Sequence, residues 1–359
     1  MGSIAVHELP LSQRALKVES LGQLTLQGNI HPLPQLEPNE VLVRVVCVAL
    51  NPYDAKSVDM SPSPGATIGI DFAGEIIAHG KKASPSSLPL GSRVCSGIFG
   101  NNPDRPTNGA FAEYVAVLES LVMRIPDTMS FQQAAAMPSG LLTSGLALYH
   151  YMGLSLEPPP KNERIYVLVY GAGTATATIA VQVLRQSGFT PITTSSAQHF
   201  ERLKELGSEA AFDYRSPTCG QDIREYTQGQ LAFALDCITT TASMTICYEA
   251  IGPQGGQYIA LDPFPLHTHT RRSIRPEWIL MPTIFGSPIP WEAPYNFLAR
   301  PTDVEFAKRW IKHAEKLLLQ GLVKSHPYQE ESGGLQGVIT GIDAVRKGHV
   351  VGYKLVYSV

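Results

Sequence analysis

Residues 165–179, Ile165-Tyr166-Val167-Leu168-Val169-Tyr170-Gly171-Ala172-Gly173-Thr174-Ala175-Thr176-Ala177-Thr178-Ile179, decide the fold. Six apolar residues in a row read as a strand buried on both faces, and two glycines one residue apart follow at once. Ile179, Val183 and Leu184 then fall at helical spacing, which predicts a helix over 174–187. A buried strand, a glycine turn and a helix N-terminus form the dinucleotide-binding device, since the helix end offers free N–H groups and a partial positive charge to a pyrophosphate. The motif departs from G-x-G-x-x-G at its third glycine, where Thr176 stands. That glycine ordinarily lets helix and strand pack closely. Thr176 therefore predicts a helix set farther from the sheet or reoriented, with the hydroxyls of Thr174 and Thr176 offered to phosphate oxygens.

Downstream the pattern alternates between strand and helix. Strands are predicted at 191–194, 211–213, 233–237 and 257–261, and a helix at 200–206. This alternation implies a parallel, doubly wound sheet. Upstream, residues 1–130 read as short strands between Gly, Pro and Asn turns, with strands at 41–48, 72–78 and 93–95 and an exposed loop at 81–89. Phe131 to Tyr151 carries Ala and Leu at helical spacing behind Ser130, a plausible N-cap. Residues 157–163 (EPPPKNE) read as a connector. Segment 262–302 is rich in Pro and aromatic residues and shows no period, and a loop of that length is usually functional. A helix over 303–320 presents Ala307, Trp310, Ile311, Ala314, Leu317 and Leu318 on one face. Residues 339–357 read as helix, Gly turn and strand. The expected class is α/β: a β-rich unit of residues 1–135 and 300–359, and a doubly wound cofactor unit of residues 136–299.

The 359 residues balance 28 Lys and Arg against 31 Asp and Glu, so no basic footprint invites nucleic acid. The five cysteines, Cys47, Cys95, Cys219, Cys237 and Cys247, form no C-x-x-C pair and read as buried thiols of a reducing compartment. The N-terminal MGSIAVHELPL lacks a signal-peptide pattern, and Val6 argues against myristoylation. No stretch reaches the length of a membrane span. The expected location is cytoplasm-like.

An unmodified adenosine ribose usually meets an acidic side chain at the end of the second strand. Here that strand ends Thr193-Thr194-Ser195-Ser196-Ala197-Gln198-His199, with hydroxyls, an amide and an imidazole but no carboxylate. Such donors suit a 2′-phosphate, so NADPH is the expected cofactor. The competing reading is that Ser195 and Ser196 only cap the next helix. A zinc dehydrogenase would need a Cys or His near 47–75 plus further ligands, and a structural zinc lobe four close cysteines. None lies between Cys95 and Cys219, so no metal is expected.

Several motifs run in one order: Asn51-Pro52-Tyr53-Asp54-Ala55-Lys56, Gly69-Ile70-Asp71-Phe72-Ala73-Gly74, Gly91-Ser92-Arg93-Val94, Gly109-Ala110-Phe111-Ala112-Glu113-Tyr114 and Ala134-Ala135-Ala136-Met137-Pro138. Together they resemble the zinc-free quinone and enoyl reductase branch of the medium-chain dehydrogenase/reductase superfamily, with its GroES-like and Rossmann domains. Val167-Leu168-Val169-Tyr170-Gly171, Thr174-Ala175-Thr176-Ala177-Thr178, Asp236-Cys237-Ile238-Thr239, Asp262-Pro263-Phe264-Pro265 and Pro282-Thr283-Ile284-Phe285-Gly286 narrow it. They resemble the trans-acting enoyl reductases of fungal polyketide synthases and synthase–peptide synthetase hybrids, of the lovastatin-pathway type.

The resemblance implies a stand-alone monomer that uses NADPH to reduce the α,β-double bond of a chain tethered to a synthase's acyl carrier. It implies that Tyr53, Asp54, Ala55 and Lys56 line the nicotinamide side and that Gly173, Thr174, Ala175 and Thr176 hold the pyrophosphate. Ser196, Ala197, Gln198, His199 and Tyr214 would face the adenosine phosphate. Leu261 and Asp262 would border the nicotinamide, and Val350 and Val351 would close the cleft. Ser139, Gly140, Leu141, Leu142, Thr143, Ser144, Gly145 and Leu146 would line the substrate channel with Thr283, Ile284, Phe285, Gly286 and Ser287. Tyr53 departs from the small residue common in relatives and narrows the site.

Without a metal, the enolate formed by hydride addition needs hydrogen-bond donors or a cation. Lys56 is the first candidate, then Tyr53 and Thr143; Asp54 is read as accepting from Lys56 or from a backbone turn. Arg271, Arg272 and Arg275 form either a solvated basic face or a docking patch for an acidic carrier. Two further readings stay open: a zinc-free quinone or alkenal reductase acting on free molecules, and a degenerate protein that serves as a synthase scaffold.

Overall fold

The computed structural model describes residues 9–160 and 162–359. The leader and lipidation readings fall largely on residues 1–8, outside the described residues. Six parallel strands form one sheet in the order Ala210–Asp213, Thr190–Ser195, Tyr166–Tyr170, Phe233–Asp236, Gly256–Ala260, Ile274–Trp278. Strand order reverses between Tyr166–Tyr170 and Phe233–Asp236, which opens a crevice at the carboxyl ends of those two strands. All of Tyr166–Tyr170 is buried, as its continuous apolar run requires.

The first third of the chain builds a mostly antiparallel sheet around Glu40–Ala49, which pairs with Asp71–His79, Tyr114–Leu118 and Lys354–Ser358. Lys354–Ser358 pairs in parallel with Tyr328–Glu331, so the C-terminal segment returns to the sheet of the first third. The helix Pro301–Leu319 buries the expected stripe, with Trp310 only 1% exposed. Among the described residues no helix is long and apolar enough to cross a membrane. The five cysteines are unpaired.

Three readings differ. Residues 1–130 are not all strand and turn, since Asn51 caps a helix, Pro52–Met60, whose first turn starts at a proline. The run 131–151 is not one helix. It splits into Phe131–Ala135, capped by Ser130 in a capping box with Gln133, and Pro138–Gly145, before a π-helical segment Leu146–Tyr151. Pro138 starts the second helix because a proline suits a first turn and cannot continue the preceding one. Segment 262–302 holds a strand after all, Ile274–Trp278. It is the sheet edge and carries Arg275, Pro276 and Glu277; edge strands tolerate a proline and charges, which hid the strand pattern.

Candidate active site

One cleft of about 590 Å³ runs along the crevice between the two sheets. At one end, Tyr166–Tyr170 turns into Gly171, whose φ of +77° favours glycine and where a Cβ would collide with Ile238. Thr174 caps the helix Ala175–Gln186, its hydroxyl accepting from the Ala177 N–H at 3.3 Å. Among the described residues no carbonyl accepts from the N–H groups of Gly173, Ala175 or Thr176. A first helical turn leaves such donors for a ligand, so the turn fits a dinucleotide pyrophosphate.

Thr176 is half-buried and lines the cleft, while Ala172 and Ala177, fully buried, fill the packed side. Thr178 turns inward instead, its hydroxyl placed 2.9 Å from the Ala175 carbonyl and 3.0 Å from His326 Nδ1. Burial pushes the His326 imidazole down to about 3, keeping it neutral.

Beyond the second strand, Ser196, His199 and Tyr214 line the cleft; Ala197 and Gln198 do not. The capping alternative fails, because Ser196 makes no side-chain cap and the Ser195 hydroxyl donates to the Ser196 carbonyl at 3.0 Å. The His199 ring lies against Gly173 and Gly352, so it sits over the glycine turn.

At the other end, the helix Pro52–Met60 offers Tyr53 and Lys56 to the cleft. Asp54 and Ala55 do not line it; both are buried on the far side of the helix. Asp54 accepts the Asn51 N–H at 2.7 Å in a capping box, so its partner is a backbone turn and not Lys56. Burial, aided by the charge of Asp71, pushes its carboxyl up to about 7. The Lys56 ammonium meets Asp262 at 2.5 Å, and Asp262 also accepts the Tyr295 hydroxyl at 2.7 Å. Among the described residues the Tyr53 hydroxyl is buried without a partner.

The floor is a buried ionic network. Lys354 lies 2.6 Å from Asp71 and donates to the Asn51 side chain at 3.0 Å. Asp71 accepts from the Asn51 amide at 2.9 Å and from the Ser139 N–H and hydroxyl at 2.8 and 2.7 Å. Among the described residues no cluster of three or more His, Cys, Asp or Glu could hold a metal ion.

The helix Pro138–Gly145 shows the cleft only Ser139 and Thr143, one turn apart. Its other residues face the core. Gly140 lies against Ile179 and Gly145 under the Trp310 indole; the Leu141 carbonyl accepts from that indole at 2.8 Å. Leu142 and Leu146 are buried, and the Ser144 hydroxyl donates to the Thr176 carbonyl at 3.3 Å. Thr283, Ile284, Phe285, Gly286 and Ser287 do not line the channel either. Thr283 is buried and donates to Asp303 at 2.6 Å, Ile284 is core, Phe285 packs beside Trp291, and Gly286 is a left-handed cap. Their place is taken by Ile279, Leu280, Met281, Trp291 and Tyr295.

Gly173, Thr174, Ala175, Leu261, Asp262, Val350 and Val351 line the cleft. Arg271 is no docking residue, since its guanidinium grips the carbonyls of Tyr248, Ile251 and Gly252 at 2.6–2.8 Å. Trp291, Lys354 and His326 belong to no motif in the sequence, and Asn51, which opens one, gave no signal of its own beside Tyr53 and Lys56.

Comparison with known proteins agrees with this geometry. Residues 37–127 match the alcohol dehydrogenase GroES-like domain. The trans-enoyl reductase opdC of Penicillium oxalicum is 62% identical over 361 residues, 98% of each chain. The chain belongs to the trans-enoyl reductases. A second relative, the trans-enoyl reductase iccB of Talaromyces variabilis, is 48% identical over 365 residues, 98% of this chain and 97% of the relative. In fold the reductase is similar to an alcohol dehydrogenase superfamily protein of Novosphingobium aromaticivorans, with TM-score 0.76 at 20% identity over 97% of this chain and all of the other. The CurK enoyl reductase gives 0.73 at 19% identity, over 97% and 99%. The trans-enoyl reductase is thus an oxidoreductase of the medium-chain dehydrogenase/reductase superfamily, and its family and fold imply a nicotinamide cofactor.

Proposed function

We propose that this reductase uses NADPH to saturate the α,β-double bond of a polyketide thioester presented by the acyl carrier of a synthase. The observation that carries the reading is one cleft lined by the glycine turn and by Tyr53, Lys56 and Thr143, with the Tyr53 hydroxyl buried at its wall and unpartnered among the described residues. A buried donor without an acceptor costs about 1–3 kcal/mol until something pairs with it. A thioester carbonyl is such an acceptor, and one that gains negative charge as the bond is reduced.

A bound reduced nicotinamide supplies the hydride. Gly173, Thr174, Ala175 and Thr176 hold its pyrophosphate. Ser196, His199 and Tyr214, with no carboxylate among residues 195–199, suit a 2′-phosphate. Tyr53 and Thr143 hold the carbonyl oxygen as charge collects there, and Lys56 adds a positive field from its place on Asp262. A proton from water then reaches the α-carbon, so that hydride and proton together saturate the double bond. Residues 1–135 and 300–359 form the catalytic unit and 136–299 the cofactor unit. The protein works as a monomer in the cytoplasm, where its five free thiols stay reduced.

The test is cofactor consumption with an enoyl pantetheine thioester, with NADPH against NADH. Faster turnover with NADPH is expected, together with a thermal shift on adding it. Preference for NADH overturns the cofactor assignment. Turnover of free enones or quinones but not thioesters moves the reading to a small-molecule reductase, and absence of any NADPH shift to a scaffold.

A further inference from the structure

The cleft's apolar end is closed unevenly. Met60, Leu280, Met281 and Trp291, the last 8% exposed, line it, and Leu280 and Trp291 pack in one cluster with Phe99 and Ile289. Methionines repack around an irregular guest. Trp291 is pinned. Its indole N–H donates to the Asn101 carbonyl at 3.2 Å, and its ring packs against Tyr53 and Phe99 at 5.4 and 5.5 Å. The next residue, Glu292, donates its N–H to the Ser61 hydroxyl at 2.9 Å. Asn101 is itself fixed, its amide donating to the carbonyls of Ser57 and Ser61 at 3.0 and 2.9 Å. The indole is thereby tied to the carboxyl end of the helix that carries Tyr53.

We infer that Trp291 is the residue that limits the size of the acyl chain this reductase accepts. The inference rests on the thioester reading above: with the carbonyl at Tyr53, the hydrocarbon beyond the β-carbon runs into the space the indole bounds. Met60 and Met281 can repack and the tied indole cannot, so the longest tolerated chain is set here.

The experiment compares Trp291→Ala and Trp291→Phe with the parent on crotonyl, hexenoyl, octenoyl and decenoyl thioesters of N-acetylcysteamine. The readout is kcat/KM for decenoyl relative to crotonyl. Trp291→Ala should raise that ratio about tenfold or more, mainly through KM, since each added methylene in an apolar pocket discriminates by about 10-fold or more. Trp291→Phe should move it less in the same direction and decides the matter alone if the alanine variant does not fold. Calorimetry should show tighter binding of the saturated decanoyl thioester, while NADPH affinity, followed by fluorescence, stays unchanged. An unchanged ratio in a folded variant overturns the inference and leaves the thioester reading standing. A parent enzyme that reduces none of the thioesters overturns the reading itself.

Discussion

Lys56 and Asp262 meet at 2.5 Å across the cleft, joining the helix Pro52–Met60 to the turn that follows the strand Gly256–Ala260. The lysine is a little over half exposed, so the pair contributes at most about 1 kcal/mol to stability. Its worth is positional: Asp262 holds one cation and one phenol, Tyr295, at the same spot.

Lys56→Met and Asp262→Asn separate the two roles this pair can play. If the ammonium stabilises the developing oxyanion, Lys56→Met lowers kcat by roughly 100-fold, the usual loss for one such group. Asp262→Asn then costs less than about tenfold, because the cation remains. Steady-state rates on a hexenoyl thioester decide it. Equal losses in the two variants would make the pair a latch and remove Lys56 from the chemistry.

Tyr53→Phe should move stability and activity in opposite directions. The hydroxyl has no partner among the described residues, so removing it is neutral or stabilising by up to about 1–3 kcal/mol. In the reacting complex the same hydroxyl faces growing charge, so kcat falls by roughly 100-fold or more. Thermal denaturation and turnover of the same preparation give both numbers. A lower melting temperature with full activity would show that the hydroxyl is held by the protein and idle in the reaction.

The fold was legible where burial is continuous or periodic: Tyr166–Tyr170, the helix Ala175–Gln186 and the stripe around Trp310. The edge strand Ile274–Trp278 was not, because an edge needs no alternation and tolerates Pro276. At the site, a motif read from sequence assigns its neighbouring residues one shared role. A helix turns about 100° per residue, so Tyr53 and Lys56 face the cleft while Asp54 and Ala55 face inward. Ser139 and Thr143 part from their six neighbours for the same reason. Lys354 and Asp71 lie 283 residues apart, and they meet because Lys354–Ser358 and Asp71–His79 both pair with Glu40–Ala49.

Breaking that buried pair should be costly. Lys354→Met leaves the Asp71 charge without its cation and should destabilise the protein by about 3–5 kcal/mol. Adding Asp71→Asn removes the stranded charge and should recover a large part of the loss. Urea denaturation of the single and double variants measures the coupling. Additive losses would mean that Asn51 and Ser139 satisfy Asp71 without the lysine.

Asp54 sets the pH response of this same cluster. Its unfolded value is near 3.8, and burial, reinforced by Asp71, raises the folded value to about 7, with Lys354 and the Asn51 N–H pulling the other way. The folded state therefore holds its proton more tightly than the unfolded state. This stabilisation is full below the unfolded value, falls as pH rises between the two, and is gone above about 7. His326 contributes with the opposite slope. Its folded value is depressed to about 3 from 6.5, so its stabilisation is present above 6.5 and fades as pH falls toward 3. Asp54→Asn keeps an acceptor for the Asn51 N–H and removes only the first of these. Compared with the parent, the variant should gain stability progressively from pH 4 to pH 7, by an amount on the order of 4 kcal/mol. Denaturation midpoints across that range measure the difference. A constant offset between the two proteins would mean that Asp54 is ionised throughout, its charge satisfied by Lys354 and the helix cap.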